Sequence, residues 1–345
     1  MPSYWPSRIG RILAWTTSCQ ARAAPTERTT ETMNRTTVLQ IGPLIPALEA
    51  ALREHHEVWT AQPVSASAPL TNLSDAAQVT AVVTSAPVGL PAAWLAQLPR
   101  LRVVSSFGVG LDQLPLDAAR AQGVQVGYTP DVLTDCVADL AMGLLLDSAR
   151  RIAAADRFVR RGEWLNGRYP ITHRVSGKRL GIVGLGRIGQ VVARRATGFD
   201  MDIAYTSRRA IDGLAWRHEP ALIALAGWAD FLVLTVAGGA GTRHLVDANV
   251  LRALGPNGIL VNVARGSVVD QDALIACLQN GELGGAALDV FNDEPRVPDA
   301  LLAMEQVVLA PHMASGTHDT REAMVALVLD NLRAGLAGAP LPAHA

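Results

Sequence analysis

Cysteine, cationic excess and long apolar runs are all scarce in this sequence, and each scarcity excludes something. The three cysteines of 345 residues, Cys19, Cys136 and Cys277, lie far apart and match no metal-ligand spacing. They read as reduced thiols of a cytoplasmic protein without a bound metal. No apolar run reaches the roughly 18 residues of a membrane span, so no membrane partner is expected. The formal net charge is −1, whereas a nucleic-acid binder usually carries a strong basic excess. No internal repeat at a fixed period is present.

What the chain does have is a globular balance, 49% hydrophobic and 18% charged, over a length that accommodates two ordinary domains. The start stands apart: residues 1–32 carry four arginines (Arg8, Arg11, Arg22, Arg28), many Ser and Thr, and only Glu27 and Glu31 as acids. Its one apolar run, Ile12 to Trp15, is too short for a secretory signal. A transit peptide shares that composition, but a disordered or artefactual arm over 1–33 is the simpler expectation, with Met33 opening the folded protein.

From residue 36 onward, strand-like runs alternate with helical patterns. Val38–Ile41, Ala81–Thr84, Arg102–Ser106 and Val124–Val126 form a first set. Arg179–Val183, Asp202–Tyr205, Phe231–Thr235, Ile259–Val263, Ala286–Val290 and Val307–Leu309 form a second. Runs rich in Val, Ile and Leu with helices between them predict doubly wound parallel sheets covered on both faces. Between the two sets, Thr134 to Arg161 reads as one long helix with Val137, Leu140, Ala141, Leu144 and Leu145 as its apolar stripe, Thr134 capping it and Pro130 marking the break before it. Residues 162–177 read as a loop or an arm packing on a second subunit. A last helix, about His318 to Ala337, stops at Gly338 and returns to the first domain. The expected division is a substrate domain over 34–131 plus 316–345, and a dinucleotide-binding domain over 132–315.

Residues 178–190 read KRLGIVGLGRIGQ. Gly184, Gly186 and Gly189 form G-x-G-x-x-G between the strand Gly181-Ile182-Val183 and a helix over Gln190–Thr197. The first glycine permits a tight turn, the second admits a pyrophosphate to the backbone, and the third lets helix and strand pack closely. Alone the pattern is weak, but in this strand–turn–helix setting it is strong. Arg187 and Ile188 lie within the same loop. An NAD site usually has Asp or Glu at the end of the next strand to hold the ribose hydroxyls. Here that strand runs into Thr206-Ser207-Arg208-Arg209, without an acid. Two guanidinium groups and a serine hydroxyl suit a 2′-phosphate, so the expected cofactor is NADPH in preference to NADH.

Three further segments place polar residues at strand ends: Asn262-Val263-Ala264-Arg265-Gly266, Leu288-Asp289-Val290-Phe291-Asn292-Asp293-Glu294 and Ala310-Pro311-His312-Met313-Ala314-Ser315. Carboxyl ends of strands in such sheets face the ligand crevice. Singly, Arg265, Glu294 and His312 could be a surface cation, a loop acid and a satisfied histidine. Together with the cofactor loop they suit carbonyl reduction. A histidine delivers the proton near neutral pH, a carboxylate orients it, and an arginine binds a substrate carboxylate and polarises the carbonyl.

The chain resembles the D-isomer-specific 2-hydroxyacid dehydrogenases, and within them the glyoxylate/hydroxypyruvate and hydroxyphenylpyruvate reductases. The resemblance covers about residues 36 to 342 and rests on VSSFGVGLD (104–112), TPDVLTD (129–135), GLGRIG (184–189), NVARGSVVD (262–270), LDVFNDEP (288–295) and PHMASGT (311–317). It implies a Rossmann NAD(P)-binding domain inserted in a flavodoxin-like substrate domain, catalytic roles for Arg265, Glu294 and His312, and a homodimer joined through the long helix. It also implies nicotinamide contacts at Asp289, Ala264 and Ala314, with Val236 and Val263 at neighbouring strand ends completing the cofactor set. The substrate carboxylate would be held by Val109, Gly110 and the Ser85-Ala86 loop, beside Arg265 and His312. The sequence departs from many relatives at Leu111, often aromatic, in the loop 84–89, which lacks a usual glycine, and at Ala314, often glycine. These departures bear on substrate size. The expected activity is reduction of a small 2-keto acid to the D-2-hydroxy acid. Two alternatives stand beside it: an NAD-linked dehydrogenase of the same family, such as a phosphoglycerate type, and a non-catalytic, corepressor-like dinucleotide sensor.

Overall fold

Short runs of Val, Leu and Ile become strands because both faces of each are covered: every residue of Phe231–Leu234 and Ile259–Asn262 is buried. The computed structural model describes residues 35–62, 70 and 75–345, so the expected arm over 1–33 lies outside the described residues. Among these residues, β1 (Thr37–Ile41), β2 (Glu57–Ala61), β3 (Val79–Ser85), β4 (Val103–Phe107) and β5 (Gln125–Gly127) form a parallel sheet in the order β2-β1-β3-β4-β5. A second sheet holds β6 (Arg179–Val183), β7 (Asp202–Thr206), β8 (Arg217–His218), β9 (Phe231–Leu234), β10 (Ile259–Asn262), β11 (Gly285–Leu288) and β12 (Val307–Leu309). Its order is β12-β11-β10-β9-β6-β7-β8, again parallel throughout. Both orders are doubly wound, as the sequence predicts. The strand order reverses between β1 and β3 in one sheet and between β6 and β9 in the other, which is where ligands bind such folds.

Two strands have no counterpart in the sequence reading. β2 is a half-exposed edge strand and β8 has only two residues, so neither carries a full apolar run. The expected single helix over 134–161 is two helices, Thr134–Arg150 and Ile152–Arg160. Arg151 breaks it by adopting the left-handed region (φ 51°), and Asp147 Oδ1 accepts the Ala153 N–H at 2.8 Å to start the second helix. Thr134 does not cap the first: Leu133 occupies the capping position without a side-chain bond. The first helix buries Val137, Ala138, Ala141, Leu144 and Leu145, whereas the second buries none of its residues.

The C-terminal helix, His318–Ala337, starts at the Thr317 hydroxyl, which accepts the Thr320 N–H, and ends at Gly338 with φ 73°. It packs on the five-stranded sheet. Ser105 Oγ donates to the Val328 carbonyl at 3.0 Å, and the fully buried Asn331 donates to the Tyr128 carbonyl at 3.0 Å. Among the described residues, no helix is long and apolar enough to cross a membrane.

Candidate active site

The glycine loop is built as its spacing requires. Gly184 has φ 91°, and a Cβ there would lie 2.6 Å from Val236 Cγ1. The helix begins at Arg187 rather than Gln190, so Gly189 lies inside it and packs against the Gly184 carbonyl. Gly186 differs from both, because a Cβ on it would meet nothing within 4 Å. No side chain caps this helix, so its N–H groups and positive dipole end face that open space. These residues fit a dinucleotide pyrophosphate. Arg187 Nε lies 2.7 Å from Asp131 Oδ1, on a solvent-exposed pair.

Beyond the loop, a cavity of about 1190 Å³ opens between the carboxyl ends of the two sheets. One side presents Ser85, Ala86, Val109 and Gly110; the other presents Arg187, Ile188, Val236, Val263, Ala264, Arg265, Asp289, Glu294, His312 and Ala314. The parallel register explains the convergence. Asn262 at the end of β10 is level with Leu288 of β11, which is level with Leu309 of β12. Arg265, Asp289 and His312 therefore leave one edge of the sheet together.

His312 is held tightly from several directions. Its φ of 51° is unusual for a non-glycine residue, and its N–H donates to the Asp289 carbonyl at 2.8 Å. The Asp289 carboxylate, almost fully buried, accepts the Met313 and Ala314 N–H groups at 2.7 and 3.0 Å. Burial pushes its pKa up, against the pull of those two amides and of His312. His312 Nδ1 donates to Glu294 Oε2 at 2.6 Å, and the other Glu294 oxygen accepts the Phe291 N–H at 3.0 Å. Burial works to raise the Glu294 pKa, but the His312 and Phe291 hydrogen bonds and the charges of His312 and Arg265 outweigh it, so the net shift is downward. Glu294 is thus a carboxylate at neutral pH and keeps the proton on Nδ1, leaving Nε2 to meet a ligand.

Arg265 follows a turn pinned by Asn262, whose Oδ1 accepts the Ala264 N–H at 3.0 Å while Nδ2 donates to the Arg265 carbonyl at 3.0 Å. Arg265 Nη1 donates to the Ala264 carbonyl at 2.7 Å, and Nη2 lies against Gly110. Among the described residues the Val109 and Gly110 amides have no partner, whereas Ala86 N–H is committed to the Phe107 carbonyl at 3.1 Å. Of the expected carboxylate loop, the backbone at Val109 and Gly110 remains available and the Ala86 amide does not.

Arg208 and Arg209 lie elsewhere, on the loop after β7, exposed and without a carboxylate partner among the described residues. Ser207 Oγ donates to the Arg209 carbonyl, so its proton is engaged inside the loop instead of being offered outward. The sequence assigns no role in the site to Asp112, Asn262, Cys136 or Arg321. Asp112 faces Arg265, Cys136 Sγ donates to the Ala314 carbonyl at 2.9 Å, and half-buried Arg321 stacks over Phe107 at 5.3 Å. Asp112 and Asn262 stand in strand-end motifs, which was the signal available for them.

A family model described as "D-isomer specific 2-hydroxyacid dehydrogenase, NAD binding domain" matches residues 142–314. A glyoxylate/hydroxypyruvate reductase A of Arabidopsis thaliana is 47% identical over 263 residues, covering 76% of this chain and 84% of the relative. The chain belongs to the D-isomer-specific 2-hydroxyacid dehydrogenases. The enzyme is therefore an oxidoreductase that works with a nicotinamide dinucleotide, as its motifs implied. A hydroxyphenylpyruvate reductase of Plectranthus scutellarioides is likewise 47% identical, over 77% of this chain and 85% of its own length. Among solved structures, an NADPH-dependent glyoxylate/hydroxypyruvate reductase from Sinorhizobium meliloti, in complex with NADP and malonate, is similar with a TM-score of 0.85. Its sequence is 40% identical, and the match covers 90% of this chain and 97% of that one.

Proposed function

We propose that the enzyme reduces a small 2-keto acid of the glyoxylate/hydroxypyruvate type to its D-2-hydroxy acid, with NADPH preferred. The observation that carries this reading is the His312–Glu294 pair facing the same cavity as Arg265. The bound cofactor supplies the hydride. Arg265 Nη2 and the Val109 and Gly110 amides hold the substrate carboxylate, which places the carbonyl oxygen toward His312 Nε2. His312 gives its proton to that oxygen, and the Glu294 carboxylate supports the imidazolium beforehand. Gly186, Arg187, Ile188 and Gly189 hold the pyrophosphate. Arg208 and Arg209 hold the 2′-phosphate, with Ser207 shaping the loop. Val236, Val263, Ala264, Asp289 and Ala314 surround the nicotinamide end. The NADP bound to the Sinorhizobium relative and the absence of an acid after β7 support that cofactor preference.

Steady-state kinetics on a panel of 2-keto acids with both cofactors tests the reading. Glyoxylate and hydroxypyruvate should be turned over with kcat/KM at least about tenfold higher with NADPH than with NADH. A protein that reduces none of the panel with either cofactor is not this enzyme.

We assign the substrate domain to 34–131 with 316–345 and the dinucleotide domain to 132–315, leaving 1–33 outside both. We also assign a homodimer. Ile152, Trp164, Leu165 and Ile171, on the second helix and the arm after it, are large apolar side chains left exposed. A cavity of about 530 Å³ lies beside them, lined by Asp147, Ser148, Arg157 and His173. A second copy of the arm fits both features. Leu165→Glu combined with Ile171→Glu should convert a dimer to a monomer in sedimentation analysis, and an unchanged sedimentation coefficient would remove the arm from the interface.

A further inference from the structure

Asp112, in the lining of the cleft, is a carboxylate that the reaction described above leaves unused. Asp112 stands in the loop after β4, on the five-stranded side, and faces Arg265 at the end of β10 on the other. Oδ1 lies 3.6 Å from Nε, and the two side chains are only 19% and 25% exposed. Two glycines make room for the pair. A Cβ on Gly110 would run into Arg265 Nη2 and lie 2.8 Å from Asp112 Oδ1, and a Cβ on Gly238 would lie 2.8 Å from Arg265 Cγ. The arginine thus threads a slot with glycine on either side and a carboxylate at its Nε edge.

A guanidinium has five donors in a rigid fork on a flexible stem, so its usefulness as a clamp depends on which edge is presented. Here Nε faces Asp112, one Nη1 proton goes to the Ala264 carbonyl, and Nη2 lies beside the Val109–Gly110 backbone, whose amides have no partner among the described residues. The Glu294 carboxylate lines the same cleft and is an alternative partner for Arg265. An unanchored Arg265 would lose orientation to side-chain entropy or turn toward Glu294 and disturb the acid of His312. We propose that Asp112 is a positioning residue for substrate binding. It anchors the Nε edge of Arg265 across the cleft, so that the Nη edge meets the carboxylate of the 2-keto acid and stays off Glu294. This rests on the reading of Arg265 as the substrate clamp. The anchor and the arginine come from opposite sides of the cleft, so the two sheets share the clamp.

The test uses the full chain with NADPH and glyoxylate. Asp112→Ala should raise KM for glyoxylate at least about tenfold while KM for NADPH stays within about twofold. Asp112→Asn, which keeps an oxygen acceptor beside Nε, should lie between Asp112→Ala and the native enzyme. The proposal fails if KM for glyoxylate in Asp112→Ala is within twofold of native, or if both KM values rise together as a general loosening would produce. Should Asp112→Ala fail to fold, Asp112→Asn carries the test, with a KM for glyoxylate raised at least about threefold supporting the proposal and an unchanged one overturning it. A native enzyme that reduces no 2-keto acid overturns the functional reading and the positioning role with it; an active native enzyme with indifferent Asp112 variants overturns the positioning role alone.

Discussion

His312→Ala is expected to lower kcat for keto acid reduction by about 10²–10⁴-fold, or about 3–5 kcal/mol of barrier, while NADPH affinity stays within about twofold. The two halves of this expectation come from different parts of the loop. The imidazole carries the proton, and its removal leaves only water to replace it. The loop backbone is fixed by Asp289, whose carbonyl accepts the residue 312 N–H and whose carboxylate accepts the next two amides, so it holds its course without the ring. Glu294 adds a pH dependence whose sign is set by its lowered pKa. A depressed carboxyl contributes its stabilisation in full above its ordinary value of 4.5 and loses it as pH falls through the lower folded value. The His312–Glu294 pair is therefore intact throughout the neutral range and breaks only in acid. Glu294→Gln should lower kcat at neutral pH as well, because a neutral amide cannot support the imidazolium. Fluorescence titration with NADPH and single-turnover reduction check the pair of effects. Turnover of His312→Ala above about a tenth of native would remove His312 from the acid role.

Much of this architecture was legible because the deciding interactions are local or periodic. β9 and β11 are continuous apolar runs, β10 is one up to Asn262, and the glycine spacing of 184, 186 and 189 reports a turn that few other residues could make. Arg265, Glu294 and His312 were visible because strand ends in a parallel sheet face one crevice, whatever lies between them in sequence. The features that escaped depend on contacts distant along the chain. The apolar stripe of the Thr134–Arg150 helix gives no sign that Arg151 leaves the helix, since neither glycine nor proline stands there. A left-handed arginine costs about 1–2 kcal/mol, and its neighbours offset this through the Asp147 bond to Ala153 and the Tyr169 hydroxyl on the Arg151 carbonyl. The loss of the Ala86 amide to Phe107 follows from how β3 and β4 end side by side. Asp112 lay within a recognised motif, but its meaning depends on a residue of the opposite sheet.

Replacing Arg208 and Arg209 together with Ala is expected to raise KM for NADPH by about 10²-fold and to leave KM for NADH within about twofold. The loop that carries them is built to stay in place. Tyr205 OH accepts the Ile211 N–H at 2.9 Å, His218 Nε2 lies 3.2 Å from the Ser207 carbonyl, and Ser207 Oγ is bound to the Arg209 carbonyl. None of these bonds uses a guanidinium, so the loop keeps its shape when both are removed. Charged hydrogen bonds contribute about 1.5–3 kcal/mol each, and two at the lower end give the hundredfold ratio. Because both side chains are exposed, salt weakens the attraction. Raising ionic strength should therefore weaken NADPH binding more than NADH binding in the native enzyme, and the two cofactors should respond more nearly alike in the double variant. An equal rise in both KM values would show that the loop serves the adenosine generally. In that event the missing acid after β7 would no longer point to NADPH.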